Sequence, residues 1–278
     1  MSLSERELRR FAAEIRLETL TELKARGFGH VGGSMSIVEV LAVLYGDVMK
    51  VRPSEPDWAD RDWLVLSKGH AGPALYATLA LKGYFDLEEL KTLNRPGTRL
   101  PSHCDRLKTP GVDMTTGSLG QGISTAIGVA LGNRIQNRDN RVYCITGDGE
   151  LDEGQIWEGV LAAAQFKLDH LVVFVDHNHQ QLDGYLPEVM DLGDICEKFA
   201  SFGWYAQQVN GHNVQEIRDA ISKAHKMCGC PSVIVLETQK GKGCTFAEGI
   251  KANHHVAFTD EQIDEAICHV EEILKEVS

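Results

Sequence analysis

Segments with helical spacing of apolar residues alternate along this chain with short, continuous apolar runs. The first segment begins at Ser4 with a capping-box partner at Glu7, and this pattern predicts an amphipathic helix that ends near Arg26. The same signals predict further helices that begin at Ser36, Asp86 and Asn213 or span 119–137 and 154–166. Five apolar runs have the length and composition of buried parallel strands, and they span 63–66, 142–146, 171–175, 205–209 and 233–236.

Strands and helices alternate throughout the second half of the chain. This order is typical of parallel strands joined by right-handed crossover helices. We therefore predict the α/β fold class, with a mostly parallel sheet between two helical layers, and a single domain over residues 1–278. The longest irregular stretch, 94–116, contains several prolines and glycines. A long loop inside a compact domain is more often functional than idle.

Charge and composition exclude several classes of protein. The 278 residues include 40 acidic and 28 basic side chains, a net charge of −12 that would repel nucleic acid. No apolar run approaches the roughly 20 residues needed to span a membrane, and the first residues lack a signal-peptide core. The seven cysteines are scattered, and Cys228 with Cys230 has no second pair at zinc-ligand spacing. We expect a cytoplasmic protein without nucleic-acid or membrane partners.

A glycine pattern near the first helix resembles a dinucleotide-binding motif but has the wrong context. Gly27, Gly29 and Gly32 have G-x-G-x-x-G spacing, yet they follow a predicted helix and not a strand. We interpret this segment as a close-approach loop that presents His30 to a ligand.

Polar residues follow two consecutive predicted strands at the point where each strand ends. Asp148, between Gly147 and Gly149, follows the strand 142–146, and Asn178 follows the strand 171–175. Because parallel strands end at one edge of the sheet, we expect both side chains to share one ion. Their oxygens suit Mg²⁺ that is completed by a diphosphate, which the neighbouring glycine amides and helix N-termini can approach.

These residues match the thiamine diphosphate fingerprint, and the whole sequence resembles the amino-terminal segment of transketolase. The resemblance extends over nearly the full chain in several separate blocks. The blocks are GFGHVGGSMS (27–36), LSKGHAGPALY (66–76), PSHCDRLKTPGVDMTTGSLGQGIS (101–124), GDGELDEGQIWEG (147–159), DHNHQQLDG (176–184) and KGKG (240–243).

The resemblance implies a set of site residues. Mg²⁺, or Ca²⁺ or Mn²⁺ in its place, is expected at Asp148, Asn178 and the main-chain oxygen of Gln180. The residues expected at the cofactor are His70, Gly117, Leu119, Gly149 and Leu182. His30 and His103 match histidines that face the substrate, and a further histidine after KGKG is expected at the cofactor, where we prefer His255 to His254.

The other histidines have no such match. We treat them as structural or surface residues, including His177 and His179, because imidazole is a poor ligand for the hard cation expected at Asn178. They are His170, His177, His179, His212, His225 and His269. Glu153 and Glu158 match a subunit interface, where burial against a partner would raise their pKa values and allow proton relay.

Transketolase chemistry moves a two-carbon ketol unit from a ketose phosphate to an aldose phosphate. It needs a carboxylic acid beside the cofactor's aminopyrimidine ring, and in full-length relatives that acid lies on a second domain. The sequence therefore resembles one half of a split transketolase, inactive without a separate pyrimidine-binding subunit. We expect a dimer of this chain, or two copies with two of the partner. The partner is also expected to carry the arginines that bind the sugar phosphate.

Three alternatives remain open. The α-type subunit of a 2-oxo acid dehydrogenase also has the fingerprint, although it does not need the histidines 30, 70 and 103. A 1-deoxyxylulose-5-phosphate synthase has a similar histidine set, but on a single long chain and without the EGQIWEG stretch. A non-catalytic homologue would have no structural need for Asp148, Asn178 and the histidines together. The segment Ser102–Asp105, where relatives commonly have Gly-His-Pro, leaves the donor open.

Overall fold

The computed structural model describes residues 3–277 and has an α/β fold. Its helices are α1 (Glu5–Arg26), α2 (Gly32–Met35), α3 (Val38–Val43), α4 (Gly72–Leu81), α5 (Gln121–Ile135), α6 (Gly154–Gln165), α7 (Leu186–Val189), α8 (Ile195–Ser201), α9 (Val214–Ala224) and α10 (Asp260–Val277). Its strands are β1 (Phe28–Gly29), β2 (Trp63–Leu66), β3 (Val142–Gly147), β4 (Leu171–His177), β5 (Tyr205–Asn210), β6 (Ser232–Glu237) and β7 (Val256–Ala257). Short 3₁₀ helices span 69–71, 87–92 and 149–152, and a π-helical turn spans 44–48.

The main sheet has five parallel strands in the order β2-β3-β4-β6-β5. This confirms the predicted fold class. The first and last residues of each predicted strand agree with those of an observed strand to within two positions. The runs are rich in valine and isoleucine, whose branched side chains suit a sheet that is covered on both faces. The second, two-stranded sheet pairs β1 with β7 in antiparallel orientation.

Two hydrophobic cores lie on opposite faces of the main sheet. Alternate residues of each strand point to opposite faces: Tyr143 and Phe174 join the core with α1, α3, α4, α9 and α10. Cys144 and Val173 join the core with α5, α6 and α8. The sheet is therefore the middle of three layers.

The helix starts agree with the capping signals at three of the four predicted sites. Ser4 and Glu7 form a full capping box, and Asn213 caps α9. Asp86 caps a 3₁₀ helix. The prediction at Ser36 is wrong, because α3 begins after Ile37 and the Ser36 hydroxyl instead donates to the carboxylate of Asp176 at 2.7 Å.

Helix α10, which the apolar pattern did not predict, packs on α1. Ile263, Ala266 and Val270 are buried in the core that also contains the apolar face of α1. Lys24 of α1 forms an ion pair with Asp264 at the surface. None of the helices within residues 3–277 has both the length and the apolar character of a membrane span.

Candidate active site

The carboxyl ends of β3 and β4 bring Asp148 and Asn178 to the same edge of the sheet. The Asp148 backbone N–H donates to the carbonyl of Asp176 at 3.1 Å. The Asp148 carboxylate accepts from the backbone N–H of Gly149 at 2.8 Å and from that of His179 at 2.6 Å. Because the second bond crosses from one strand end to the other, the turn carrying Asn178 is fixed beside Asp148.

Asp148 is almost fully buried, and its environment favours a bound cation. Burial, and then the nearby charge of Asp176, raise the pKa of Asp148 to about 7, while the two backbone donors and Lys68 only partly oppose this shift. The side-chain oxygen of Gln180 is buried without a hydrogen-bond partner. A buried carboxylate close to an unpartnered amide oxygen and the amide of Asn178 forms a donor set that fits Mg²⁺.

Beneath this group lies a buried network that the sequence did not predict. Asp176 accepts hydrogen bonds from Lys68 Nζ at 2.5 Å, Thr238 Oγ1 at 2.5 Å and Asn178 Nδ2 at 2.8 Å. Burial alone would raise the pKa of Asp176, but the charge of Lys68 and the hydrogen bonds from Lys68, Thr238 and Ser36 together outweigh burial, and the pKa is lowered. The Asp176–Lys68 pair thus joins the ends of β2 and β4, and Thr238 connects the end of β6 to the same carboxylate.

Two lysines place ammonium groups at this end of the cleft, and the charge of Lys68 is paired with that of Asp176. Lys68 follows β2, and Lys240 follows β6 in the KGKG block. Burial, and then the charge of Lys68, lower the pKa of Lys240 to about 8, with Asp148 and Asp176 opposing the shift. A buried pair of ammonium groups beside a cation site suits a diphosphate. The KGKG block is part of the resemblance, but nothing in it indicated that this lysine faces the cleft.

The histidines gather around His30 at a second end of the cleft, and of these His70 and His254 are close enough to Lys68 and Lys240 for both charges to act on them. The ring of His30 lies 5.6 Å from that of His70, 5.4 Å from that of His103 and 5.4 Å from that of His254, measured between centroids. These residues come from four separate parts of the chain, so the structure brings together what the sequence could only propose as a set.

The histidine pKa values show that this end is largely uncharged at neutral pH. Burial, followed by His255 and His103, lowers the pKa of His30 to about 4. Burial, followed by Lys240 and His30, lowers the pKa of His254 to about 3. Burial also lowers the pKa of His103, and it lowers that of His70 well below its usual value with the help of Lys68. Neutral imidazoles both donate and accept hydrogen bonds, as recognition of sugar hydroxyls requires.

The two consecutive histidines after KGKG occupy different places. His254 lines the cleft, with its ring 4.6 Å from that of His70. His255 contacts His30, with its ring 4.8 Å away, and Phe28 at 5.5 Å, and it lines a smaller cavity behind. The sequence, in which both residues follow KGKG, contained no signal that separates them. The role of His255 at the cofactor stays a prediction.

The remaining predicted cofactor residues surround a cavity of about 200 Å³. It is lined by His30, His70, His103, Gly117, Leu119, Asp148, Gly149, Asn178, Gln180 and Leu182, together with Lys68, Lys240 and His254. A Cβ atom on Gly149 would lie 2.5 Å from Cβ of Gln181, and Gly117 has φ +138° against the ring of His103. Both positions therefore need glycine. Leu119 and Leu182 are partly exposed at the cleft.

The acidic residues at the start of α6 lie outside this cavity. Glu153 and Glu158 are exposed in this chain, so the relay suggested for them depends on a partner. Glu150, which carried no distinguishing signal in the sequence, is buried at the cleft and accepts hydrogen bonds from the backbone N–H groups of Gly120 and Gly147 and from Ser67. Burial raises its pKa. It fixes the start of α5 against the end of β3.

Comparison with known proteins identifies the family of this chain. The family model for the transketolase thiamine diphosphate binding domain matches residues 8–269. The chain is 52% identical over 271 residues to the 6-deoxy-6-sulfo-D-fructose transketolase subunit SqwG of Clostridium sp. (strain MSTE9), covering 98% of each chain. It is 37% identical over 249 residues to an apulose-4-phosphate transketolase subunit of Phocaeicola vulgatus, covering 90% of this chain and 88% of the relative.

Solved structures show the same relation to longer chains. Transketolase from Campylobacter jejuni superposes with a TM-score of 0.88 at 28% identity, and the match covers 100% of this chain but 46% of the other. The human transketolase is 36% identical over 244 residues, which are 87% of this chain and 38% of the human one. The chain therefore belongs to the transketolase family, and it corresponds to the amino-terminal, thiamine diphosphate-binding part of that family's longer enzymes.

Proposed function

We propose that this chain is the diphosphate-binding subunit of a split transketolase, which transfers a two-carbon ketol unit from a ketose to an aldose. The observation that carries the proposal is the meeting of Asp148, Asn178 and Gln180 with the buried ammonium groups of Lys68 and Lys240 in one cavity. Oxygen ligands for a hard metal cation, next to the ammonium groups of two lysines, suit a metal-bound diphosphate.

The proposed cofactor contacts follow from the chemistry of each group. Asp148, Asn178 and the main-chain oxygen of Gln180 would hold Mg²⁺, and Lys68, Lys240 and the backbone of Gly149 would contact the diphosphate. Gly117, Leu119 and Leu182 would contact the rings, with His70 close to the diphosphate. When bound, thiamine diphosphate supplies the electron sink for the ketol unit.

The chain's own residues would then bind the sugar and move protons. His30 and His103 would orient the substrate hydroxyls and exchange protons with them, because burial keeps both imidazoles neutral and able to accept. His255, which contacts His30, would take part in catalysis together with His30 and His103. His254, which is close to both His30 and Lys240, would lie between the substrate and the ammonium group of Lys240.

The complete enzyme requires a second subunit in this proposal. The relatives from Clostridium and Phocaeicola are both named as transketolase subunits, and the chain spans 46% of the Campylobacter transketolase. We propose that residues 1–278 act as one diphosphate-binding domain, and that a separate subunit supplies the pyrimidine-binding domain in a heteromer with two copies of each. Glu153 and Glu158 are exposed at the start of α6, and they would lie either at the interface with this partner or at an interface between two copies of this chain.

The donor is proposed to be a ketose with an anionic terminal group. The 52% identity with SqwG favours 6-deoxy-6-sulfo-D-fructose over phosphorylated ketoses. The histidines of the cleft are largely neutral, so we assign the residues that bind the terminal anion to the partner.

The first experiment measures cofactor binding. The chain is co-expressed with the product of the neighbouring gene, and thiamine diphosphate is titrated with and without Mg²⁺ by calorimetry. We expect saturable binding that depends on the metal. Absence of Mg²⁺-dependent binding in the complex would contradict the proposal and favour a non-catalytic homologue.

The second experiment measures ketol transfer by the loaded complex. The donors are 6-deoxy-6-sulfo-D-fructose, fructose 6-phosphate and apulose 4-phosphate, and pyruvate tests the alternative of a 2-oxo acid dehydrogenase subunit. We expect aldose release from the sulfonated ketose at the highest kcat/KM and no decarboxylation of pyruvate. Decarboxylation without ketol transfer would overturn the assignment.

A further inference from the structure

We propose that His177, His179 and Glu237 form a second metal site, specific for a borderline transition-metal ion such as Zn²⁺ and distinct from the Mg²⁺ site. The three side chains each offer one ligand atom, and these atoms lie within 4.8 Å of one another. None of the three residues lines the cofactor cavity. The proposed activity does not require this second site.

Sheet register brings the three residues together. His177 at the end of β4 pairs directly with Glu237 at the end of β6. His179 lies two residues beyond His177 in the turn that follows β4, and Asn178 between them lines the cleft. The two imidazole rings are 4.1 Å apart between centroids, and the ring of His179 contacts the Glu237 carboxylate through Nε2.

Two features indicate a ligand instead of a simple surface ion pair. The Nδ1 atom of His177 is shielded from solvent, and its contact with the Glu237 carboxylate lacks hydrogen-bond geometry. It lies 3.4 Å from Glu237 Oε2, close to the separation of about 3.4 Å between two ligands that are each about 2.1 Å from a tetrahedral ion. His179 has φ +62°, an uncommon conformation for a residue with a Cβ atom, and this turn is what directs its ring towards His177.

The chemistry of the donors selects the cation. Two imidazoles and one carboxylate are typical of Zn²⁺ sites that keep a fourth position for water, whereas Mg²⁺ prefers oxygen alone. Glu237 is further held by Gln208, whose Nε2 donates to Oε2 at 2.9 Å. The side chain of His179 is 50% exposed and that of Glu237 is 41% exposed, so an ion can enter from solvent.

An ion at this position would act as a clamp on the turn that carries the Mg²⁺ ligands. It would join the ends of β4 and β6 to His179, whose backbone N–H donates to Asp148 at 2.6 Å. The two sites are thus back to back, with the peptide of His179 between them. We infer that Zn²⁺ orders residues 178–182 without entering the cleft.

The test is a Zn²⁺ titration of the full chain by calorimetry, without thiamine diphosphate, for wild type, His177→Gln and Glu237→Gln. We expect one equivalent to bind to the wild type and each substitution to weaken binding by more than about 100-fold, since a lost ligand costs more than a lost supporting residue. His179→Gln, at a more exposed position, provides a second variant if His177→Gln fails to fold by circular dichroism.

Three controls identify the site. Asp148→Asn, Cys228→Ser and His269→Gln should all retain binding, because they remove the Mg²⁺ ligand, an exposed thiol and an exposed distant imidazole. Co²⁺ in place of Zn²⁺ should give visible bands of tetrahedral coordination without a sulfur charge-transfer band. Saturable binding that survives both His177→Gln and Glu237→Gln, or no saturable binding to the wild type, would overturn the site.

Hydrogen exchange tests whether bound Zn²⁺ orders the turn or only occupies the site. Peptides covering 176–185 should exchange more slowly with Zn²⁺ than without it, and peptides of α10 should not change. Unchanged exchange at 176–185 despite binding would overturn the ordering role.

Discussion

The two ends of the cleft are built in different ways. The ion end contains charged groups, Asp148, Asp176, Lys68 and Lys240, and all of them lie at or just beyond the carboxyl ends of adjacent parallel strands. The histidine end contains imidazoles from four segments outside the main sheet, and burial keeps each of these imidazoles neutral at neutral pH. One end is organised by sheet register and the other by loop packing.

This difference separates binding from proton transfer. Charged groups fixed by the sheet suit a cofactor that stays in place, since their attraction does not depend on the substrate. Neutral histidines suit groups that must accept and return protons in each turnover. Substitutions of the charged groups should therefore change cofactor affinity, and substitutions of the histidines should change kcat. Mutagenesis can contradict this expectation.

The largest effect is expected at the ion end, with Asp148→Asn. Loss of the buried carboxylate removes the charged ligand of the proposed cation, so we expect no saturable Mg²⁺-dependent binding of thiamine diphosphate by calorimetry. Asp60→Asn, at an exposed residue outside the cleft, is the matched control and should bind normally. Normal binding by Asp148→Asn would show that the metal lies elsewhere.

The next effect belongs to the histidine end. His30→Ala should lower kcat of the complete enzyme by about 10²–10⁴-fold, the range for loss of an acid–base group, and leave cofactor affinity unchanged. Ketol transfer assays and calorimetry on the same preparation measure both, and His269→Ala is the exposed control. A loss of cofactor affinity equal to the loss of kcat would abolish the distinction between the two ends.

Substitutions of the two consecutive histidines test where the ion end of the cleft stops and the histidine end begins. His254 lies beside His70 and Lys240, whereas His255 contacts His30. We expect His254→Ala to weaken cofactor binding by about tenfold, and His255→Ala to lower kcat by about tenfold through the lost contact with His30. Calorimetry and steady-state kinetics on both variants make the comparison. Exchanged effects would instead place His255 at the cofactor.

Low pH should weaken the binding of the cation and cofactor at the ion end. Because burial raises the pKa of Asp148 to about 7, its carboxyl holds a proton below that pH, and the cation must displace it. The affinity for Mg²⁺ with thiamine diphosphate should rise by about tenfold from pH 6 to pH 8, with proton release detected by calorimetry in buffers of different ionisation enthalpy. An affinity independent of pH, after correction for the free cofactor, would place the ion away from Asp148.

The same raised pKa affects the stability of the metal-free chain. A carboxyl that binds a proton more tightly when folded stabilises the fold at low pH, and this contribution is lost as pH rises from about 4 through about 7. Bound Mg²⁺ should remove this loss, which thermal unfolding at pH 5 and pH 8, with and without metal and cofactor, would detect.

The smallest effect is expected at the edge of the cleft. Leu182 is 66% exposed, so truncation to alanine removes only part of a side chain's burial against the cofactor. Leu182→Ala should weaken thiamine diphosphate binding by about fivefold, which corresponds to about 1 kcal/mol. Leu107→Ala, at an exposed leucine outside the cavity, should have no effect. A change in kcat alone would contradict this assignment.

The sequence predicted the ion end better than the histidine end, and the reason is physical. Uninterrupted apolar runs locate buried parallel strands, and the residues after them must lie at one edge of the sheet. The meeting of Asp148 with Asn178 follows from that rule alone. Loop conformations depend on contacts between distant segments, so the order of His254 and His255 around His30 had no local signal.

Buried polar partners were the other feature that the sequence did not predict. Lys68 and Asp176 are 108 positions apart, and each by itself is typical of a surface residue. Ser36 carried a helix-capping signal, but its hydroxyl hydrogen-bonds with Asp176 instead. Local propensity was overridden there by a buried carboxylate that needs several donors.

The Lys68–Asp176 pair has a practical consequence. Since it joins strand ends through protein groups alone, this part of the proposed diphosphate site is completed when the chain folds and does not wait for the cofactor. Chelation and dialysis should therefore leave a receptive apoprotein, and simple mixing should reconstitute it without any refolding step.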